Sequence, residues 1–294
     1  MSLKKFIGTF RTQLSVLGVM LILLIIFAAI NPRVFLSYAT YRSLFTVYPI
    51  ALFLACGLVF VIAGGETDLS FPSTVGLSLW IFSLIVINTG YPFLALLGSI
   101  LVGLLVGFIN GILITKLKLS SLVVTLGMNF LLRGLINVGT KGEGKSLVFL
   151  NKSTFYNIFV GRIKEFPIQM IWGVLFIIIC LFLFNKHKFG AHVCYVGDNR
   201  ESANETGVKT DRTKIGAFML VGFAAAMAGV FSGLVNNMFW PITGDGYLLT
   251  TMAAVYVGGT PTWGGVGTIL GAAMGAFFNV LVGSEFNRRR RETW

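Results

Sequence analysis

The residue pattern with the clearest chemical meaning is a match to the phosphate-binding loop of nucleotide-binding enzymes. Residues 139–146, from Gly139 to Ser146, read GTKGEGKS and fit G-x-x-x-x-G-K-[ST] at every fixed position. Such a loop joins a buried strand to a helix, and an acidic residue on another strand helps to hold magnesium. Here a long apolar run precedes the match. We interpret the match as accidental, with a membrane-embedded, nucleotide-dependent enzyme as the alternative.

Metal and thiol chemistry have less support. His187 and His192 do not share one helical face, and no carboxylate or cysteine joins them at a metal-ligand spacing. Cys56, Cys180 and Cys194 lack a C-x-x-C spacing and are interpreted as small packing residues. No nucleophile or paired-carboxylate motif is present either. We therefore expect no catalytic residues, no metal and no cofactor bound by this chain.

The strongest functional candidate is the polar segment 185–214, which lies between two apolar runs. A polar segment in this position must face water at a membrane surface, where it can contact a soluble partner. Its basic residues favour the cytoplasmic side by the positive-inside rule. They are Lys186, Lys188, Arg200, Lys209, Arg212 and Lys214.

Composition places the whole chain in lipid. Of 294 residues, 55% are hydrophobic and only 12% are charged, which excludes an ordinary soluble domain. The net charge of +12 is attributed to membrane orientation and lipid contact, so no nucleic-acid partner is expected.

The apolar runs predict an all-α, polytopic membrane protein with about eight or nine transmembrane helices. Six runs are near the roughly 20 residues that a membrane-spanning helix needs, and three are shorter or interrupted by glycine. The long runs are 14–30, 46–63, 93–115, 119–138, 168–185 and 215–235, and the others are 71–87, 247–257 and 264–282. We interpret the first as a signal-anchor. Residues 1–282 form one predicted membrane domain, in which 185–214 is cytoplasmic and 139–167 extracytoplasmic.

Glycines recur every four residues in two of these runs. This spacing produces a smooth stripe on a helix, against which another helix can pack closely. The two predicted packing stripes are Gly103, Gly107 and Gly111, and Gly267, Gly271 and Gly275.

Two further segments, 59–72 and 254–265, interrupt apolar runs with a glycine pair followed by proline. Paired interruptions in two halves of a chain indicate a transporter with discontinuous helices near its pathway. In the first segment, Ser70 is predicted to cap a helix, leaving Glu66 and Asp68 beside backbone amides near the path. The alternative is an interfacial turn with solvated carboxylates.

Three segments closely resemble the permease subunits of ribose-type ABC importers, the bacterial simple-sugar transporters. They are GGETDLS at 64–70, GDNRESANETG at 197–207 and GGTPTWGG at 258–265, and they stand in family order. In that family the middle segment contains a Glu-Ala-Ala-like loop, with a glycine six residues after the glutamate, and this loop docks on the ATPase subunit. The chain keeps that spacing with Glu201, Ala203 and Gly207, whereas Ser202 replaces the middle alanine. The residues just before the loop are Gly197, Asp198 and Asn199. Where Glu66 and Thr67 stand, the family typically has a single isoleucine.

The resemblance implies a permease that moves a monosaccharide or similar polyhydroxylated solute across the bacterial inner membrane. A separate ATPase would use the ATP, a second identical or homologous permease would complete the path, and an extracytoplasmic binding protein would deliver the solute. A nucleoside, riboflavin or a signalling sugar remains an alternative solute, and a non-catalytic assembly subunit an alternative role.

The translocation path is predicted from amides and aromatic rings, which suit a polyhydroxylated solute. The alternatives are that Trp240 is a membrane-interface anchor and that Arg133 pairs with backbone carbonyls. The path candidates are Asn129, Arg133, Asn236, Asn237, Phe239, Trp240 and Asp245.

The end of the chain departs from the resemblance. Similar permeases continue through a further helix, whereas residues 283–294 form a short basic tail. We expect either that the region around Tyr247 is re-entrant and the tail is cytoplasmic, or that the chain is truncated or frameshifted near residue 283.

Overall fold

The computed structural model describes residues 18, 21–22, 24–26, 28–30, 32–35 and 37–292. The described residues between 18 and 30 are helical, and the rest of the predicted run 14–30 lies outside them. Beyond residue 31, the described chain is built almost entirely from α-helices, as its composition predicts. Because lipid supplies no hydrogen-bond partners, a helix satisfies its own backbone better than an open sheet does.

Twelve α-helices follow within the described residues from 32 to 292. They are α1 (Pro32–Phe35), α2 (Tyr38–Ala63), α3 (Phe71–Thr89), α4 (Pro92–Thr115), α5 (Ser121–Thr140), α6 (Thr154–Val160), α7 (Gln169–Asn185), α8 (Lys188–Asp198), α9 (Arg200–Glu205), α10 (Thr210–Asn236), α11 (Tyr247–Val257) and α12 (Ile269–Glu292). A 3-10 helix covers Val148–Lys152. Antiparallel strand pairs join β1 (Lys145–Ser146) to β4 (Met238–Phe239), and β2 (Arg162–Ile163) to β3 (Phe166–Pro167).

Five of these helices, α2, α3, α4, α5 and α10, are long and apolar enough to cross a membrane. A sixth candidate arises if α7 and α8 together form one span, with a bend of 63° where the two helices meet. The all-α polytopic class is therefore confirmed. Helix α11 and the apolar part of α12, Ile269–Gly283, are shorter, and together with the first run they stay as the remaining predicted crossings.

Helices α2 and α10 form the centre of the bundle, and α4 and α5 lie at its periphery. The most apolar window is 78% buried in both α2 and α10, but only 28% buried in α4 and in α5. Helix α10 packs against α2, α3 and α4. We call the end of the bundle that carries 185–214 the basal end, and the end that carries 141–167 the distal end.

The segment after α10 crosses the bundle as a loop followed by a half-length helix. Asn237 lies at the distal end, where its carbonyl accepts a hydrogen bond from Leu147 N at 2.9 Å. Gly244 lies deep in the bundle, against the Pro72 carbonyl near the start of α3. Helix α11 then continues to the basal end, and α12 returns towards the distal end beside α2, where Tyr48 Oη donates to the Ala273 carbonyl at 3.0 Å. The alternative in which a re-entrant Tyr247 region returns the tail to the basal end is therefore wrong.

The glycines of the first stripe lie where α4 crosses α10. A Cβ at Gly103 would meet the Gly222 carbonyl, one at Gly107 the Phe218 carbonyl, and one at Gly111 the backbone of Ile215. With no side chain between them, the two backbones approach closely enough for dispersion and weak Cα–H contacts to add up.

The second predicted stripe is divided in the structure. Gly271 and Gly275 lie against α11, where a Cβ would meet the carbonyls of Gly258 and Ala254. Gly267 precedes α12 and contacts Phe184 and Val59 instead. The four-residue spacing of glycines therefore begins before α12 does, and Gly267 is not part of the helical stripe.

Gly107→Ala should destabilise the protein by about 1–3 kcal/mol, because the added methyl group overpacks the α4–α10 contact. Gly127→Ala is the matched control, since Gly127 is also helical but has open space around it. Its higher helix propensity should leave stability unchanged or raise it by up to about 1 kcal/mol. Thermal unfolding in detergent measures both, and equal midpoints would contradict a close α4–α10 contact.

Candidate coupling and path sites

The basal segment 185–214 folds mainly as a pair of helices, α8 and α9. His187 caps α8, and its Nδ1 accepts a hydrogen bond from Phe189 N at 3.1 Å. Val193 and Val196 are buried on the side of α8 that faces the bundle. The apolar spacing of positions 189, 193 and 196 is the helical signal that the polar neighbours obscured.

The hinge between α8 and α9 is Asn199, which ends the first helix and caps the second. Its backbone is extended, with φ −153° and ψ 109°, and its Oδ1 accepts from Ser202 N at 3.0 Å. Ala203 is buried against Val196 and Val208, so α9 is held to α8 by a small apolar cluster. The exposed side of α9 is left free to meet another protein.

The residues that the resemblance assigned to ATPase docking fall around this hinge. Asp198, Asn199, Glu201 and Ser202 are exposed, whereas Ala203 is buried. Gly207 follows α9 with φ +84°, a conformation that favours glycine. Gly197 lies within α8, where a side chain at this position would collide with the carbonyl of Ala63 at the end of α2.

Four glycines, Gly65, Gly197, Gly264 and Gly265, form what we call the glycine junction. A Cβ at Gly197 would collide with the Ala63 carbonyl, and one at Gly264 would lie 2.8 Å from Gly65 N. Gly265 N donates to the Ala63 carbonyl at 2.8 Å. Both interrupted turns predicted from the sequence thus meet the last turn of α8. A displacement of α8 would reach both turns through backbone contacts.

Beside this junction, Lys214 of α10 forms an ion pair with Glu66 of the α2–α3 turn. Their side chains are only 9% and 15% exposed, respectively. Val193 and Val196 of α8 line the same small cavity. A buried pair of this kind is costly to break, because the remaining charge has no partner. Glu66 is therefore not a solvated carboxylate at an interfacial turn.

Asp68 lies in the same turn and is 2% exposed. Its Oδ1 accepts hydrogen bonds from Ser70 N and Ser70 Oγ, each at 2.7 Å. Burial raises the pKa of Asp68, whereas hydrogen bonds from Ser70 and Phe71 oppose that rise. Asp68 thus satisfies the amides before α3. The prediction that the Ser70 side chain would cap α3 is wrong, because its hydroxyl donates to this carboxylate.

A second cluster lies towards the distal end, around Arg133 of α5. Its Nη1 donates to the carbonyls of Pro241 and Thr243 at 2.6 and 3.2 Å. Its Nη2 pairs with Asp245 Oδ1 at 2.5 Å. The guanidinium therefore holds the returning loop before α11, as an intramembrane cation must find partners. Carbonyl pairing, the alternative considered for Arg133, is what the structure contains.

The other path candidates separate into different environments. Asn129 is half-buried, and its Oδ1 accepts from Ser73 Oγ at 2.5 Å. Asn236 donates to the Ser232 carbonyl, and Asn237 adopts a left-handed conformation with φ +54°. Phe239 is 0% exposed and belongs to the core, so its ring has no surface for a solute. Trp240 is 49% exposed at the distal end.

The segment that matches a phosphate-binding loop has the opposite element order. It begins in the last turn of α5 and ends in β1, so it runs from helix to strand. Lys145 and Ser146 pair with Phe239 and Met238 of β4. A phosphate-binding loop is followed directly by an α-helix whose N-terminus faces the phosphate, whereas this segment ends in β1 and a short 3-10 helix, Val148–Lys152, comes next.

Sequence reasoning missed several buried polar residues, and Lys214 and Asn110 are two examples. Lys214 stood at the edge of an apolar run, where a lysine is usually a solvated flanking charge. Asn110 is 0% exposed in α4, and its Nδ2 donates to Ser70 Oγ at 2.8 Å. An amide inside an apolar run was the available signal for Asn110. No signal distinguished Lys214 from its neighbours.

Comparison with known proteins identifies the family. Residues 40–286 match the family described as the permease component of branched-chain amino acid transport systems. The chain belongs to this permease family. It is a multi-pass protein of the cytoplasmic membrane and a transporter component rather than an enzyme.

Relatives with assigned roles align over most of the permease. The L-arabinose ABC transporter permease protein AraH of Azospirillum brasilense is 31% identical over 260 residues, which are 88% of this chain and 76% of that protein. The autoinducer 2 import system permease protein LsrC of Salmonella paratyphi B is 31% identical over 294 residues, or 99% and 82% of the two chains. LsrC of Yersinia pestis is also 31% identical, over 99% and 81%. No solved structure matches the permease.

Lys214→Met should destabilise the permease by about 3–5 kcal/mol, because it leaves the Glu66 carboxylate buried without a partner. The double variant Glu66→Gln/Lys214→Met should recover part of this loss, since no charge is then left unpaired. Thermal unfolding of both single variants and the double variant measures the coupling free energy.

The matched control is Glu165→Gln, which breaks the exposed Arg42–Glu165 pair, with side chains 39% and 56% exposed. That change should cost no more than about 1 kcal/mol. Additive effects of the Glu66 and Lys214 substitutions would contradict a direct, buried interaction.

Proposed function

We propose that this permease is the membrane subunit of an ABC importer for a monosaccharide or a similar polyhydroxylated solute. The relatives named for L-arabinose and autoinducer 2 support this solute class. Exposed Asn236 and Trp240, with half-buried Asn129, offer amide and indole groups for hydroxyls and an apolar sugar face.

The observation that carries the coupling proposal is the position of α8 and α9. Helix α8 is bent by 63° relative to α7 and touches both interrupted turns through Gly197, while α9 exposes its outer side. An ATPase subunit that binds α9 would move α8, and α8 would move the turns at the basal ends of α2, α3, α11 and α12. The docking residues in this proposal are those around the Asn199 hinge.

The remaining partners follow from the same proposal. A second permease, identical or homologous, would complete the path, and a binding protein would deliver solute at the distal end. ATP would be used by the ATPase subunit alone. The helix-to-strand order of 139–146 supports the interpretation that this match to a phosphate-binding loop is accidental.

Gly207→Asp should abolish co-purification of the permease with the ATPase encoded beside it. Gly207 has φ +84°, where a residue with a side chain costs about 1–2 kcal/mol, so the end of α9 would rearrange. Gly142→Asp is the matched control, since Gly142 has φ +76° and equally open surroundings but lies at the distal end.

The control variant should retain the ATPase. Equal retention by both variants would exclude α9 as the docking helix. Failure of the unsubstituted permease to bind any ATPase would contradict the importer itself.

Cells that carry the permease with its ATPase and binding protein should accumulate radiolabelled L-arabinose or a related pentose, but not leucine. The contrast tests the sugar class against the amino-acid class in the family description. Cells with Gly207→Asp provide the background, since they hold the same membrane protein without coupling. Leucine accumulation above that background would contradict the proposed solute class.

A further inference from the structure

A basic groove at the basal end extends beyond the 185–214 segment. Its volume is about 580 Å³. The α4–α5 turn forms one wall, and α9 with the start of α10 forms the other. The lining residues are Lys116, Lys118, Arg200, Glu201, Asn204, Lys209, Thr210, Asp211 and Arg212.

Asp211 joins the two walls of this groove. One carboxylate oxygen accepts from Lys116 Nζ at 2.8 Å, and the other pairs with Arg200 Nη2 at 3.0 Å. The α4–α5 turn is thereby linked to α9 through the first turn of α10. The two walls form one continuous surface rather than two separate loops.

Three cations of the groove remain available after these contacts. Lys118, Lys209 and Arg212 are exposed, and among the residues that the structure describes they form no ion pair. Five cations against two carboxylates give the groove a positive field, which attracts an acidic surface.

The α4–α5 turn also presents apolar surface. Leu117 and Leu119 are 60% and 48% exposed, on either side of Lys118. Lys118 adopts a left-handed conformation with φ +54°, and its side chain is exposed. Exposed leucines beside unpaired cations suit a protein interface, where apolar contact supplies affinity and charge supplies orientation.

We propose that the α4–α5 turn is a second docking segment for the ATPase subunit, and that the groove receives an acidic segment of that subunit. This inference rests on the proposed function, because an ATPase subunit bound to α9 would also cover the groove, one side of which α9 forms. Two carboxylates, Glu201 and Asp211, line the groove as well, and they disfavour a lipid phosphate relative to an acidic protein segment, whose polar side chains can lie beside them.

Lys118→Glu tests the proposal in the purified, full-length permease titrated with the purified ATPase encoded beside it. The reversed charge should weaken binding about tenfold and flatten its dependence on salt. Lys118→Gln should give an intermediate loss. Lys164→Glu is the matched control, since Lys164 is also an exposed turn lysine, with φ +55°, but lies at the distal end. It should bind the ATPase as the unsubstituted permease does.

The outcomes separate this inference from the function on which it rests. If the unsubstituted permease binds no ATPase, the proposed function fails. If it binds, and Lys118→Glu binds with the same affinity and salt dependence, only the second docking segment is excluded. Unchanged ATPase binding with loss of bound phosphatidylglycerol in native mass spectrometry would assign the groove to lipid and overturn the proposal.

Discussion

Interrupted helices inside a membrane bundle must find hydrogen-bond partners for the backbone groups that the break releases, because lipid offers none. This constraint accounts for several of the buried polar contacts here. Ser121 and Thr125 of α5 accept from Thr67 N and Leu69 N of the α2–α3 turn, at 3.2 and 3.0 Å. At the other break, Arg133 donates to two carbonyls of the loop before α11. Helix α5 thus supports both irregular segments from one side, despite lying at the periphery.

The same constraint explains why the basal end can act as a mechanical unit. Glycine removes the side chains that would separate α8 from the two turns, and the backbone groups of those turns then bond to each other. The Glu66–Lys214 pair adds a directional tie between the α2–α3 turn and α10, beneath α8. Packed contacts of this kind transmit displacement because close-packed interiors have little room to absorb it.

Much of the architecture followed from hydropathy. The runs at 93–115 and 168–185 correspond closely to α4 and α7, since an apolar run of sufficient length in lipid has no alternative to a helix. The basal helices were harder to predict. Few apolar positions in α8 face the bundle, and the polar residues between them obscure so short a helical pattern. Phe239 was wrongly predicted to line the path, because the sequence alone does not distinguish an aromatic residue of the core from one of a binding surface.

By itself the sequence determined the solvent, the helical class, the position of the helix breaks and the family, because each depends on local composition or on the order of residues. Only the tertiary structure decided which charges are buried, as Lys214 and Lys118 show. Both are lysines next to an apolar run, yet one is 8% exposed in an ion pair and the other projects from a turn. Burial and pairing depend on residues far away in the chain, such as Glu66, and no local sequence pattern indicates which distant residue a lysine will contact.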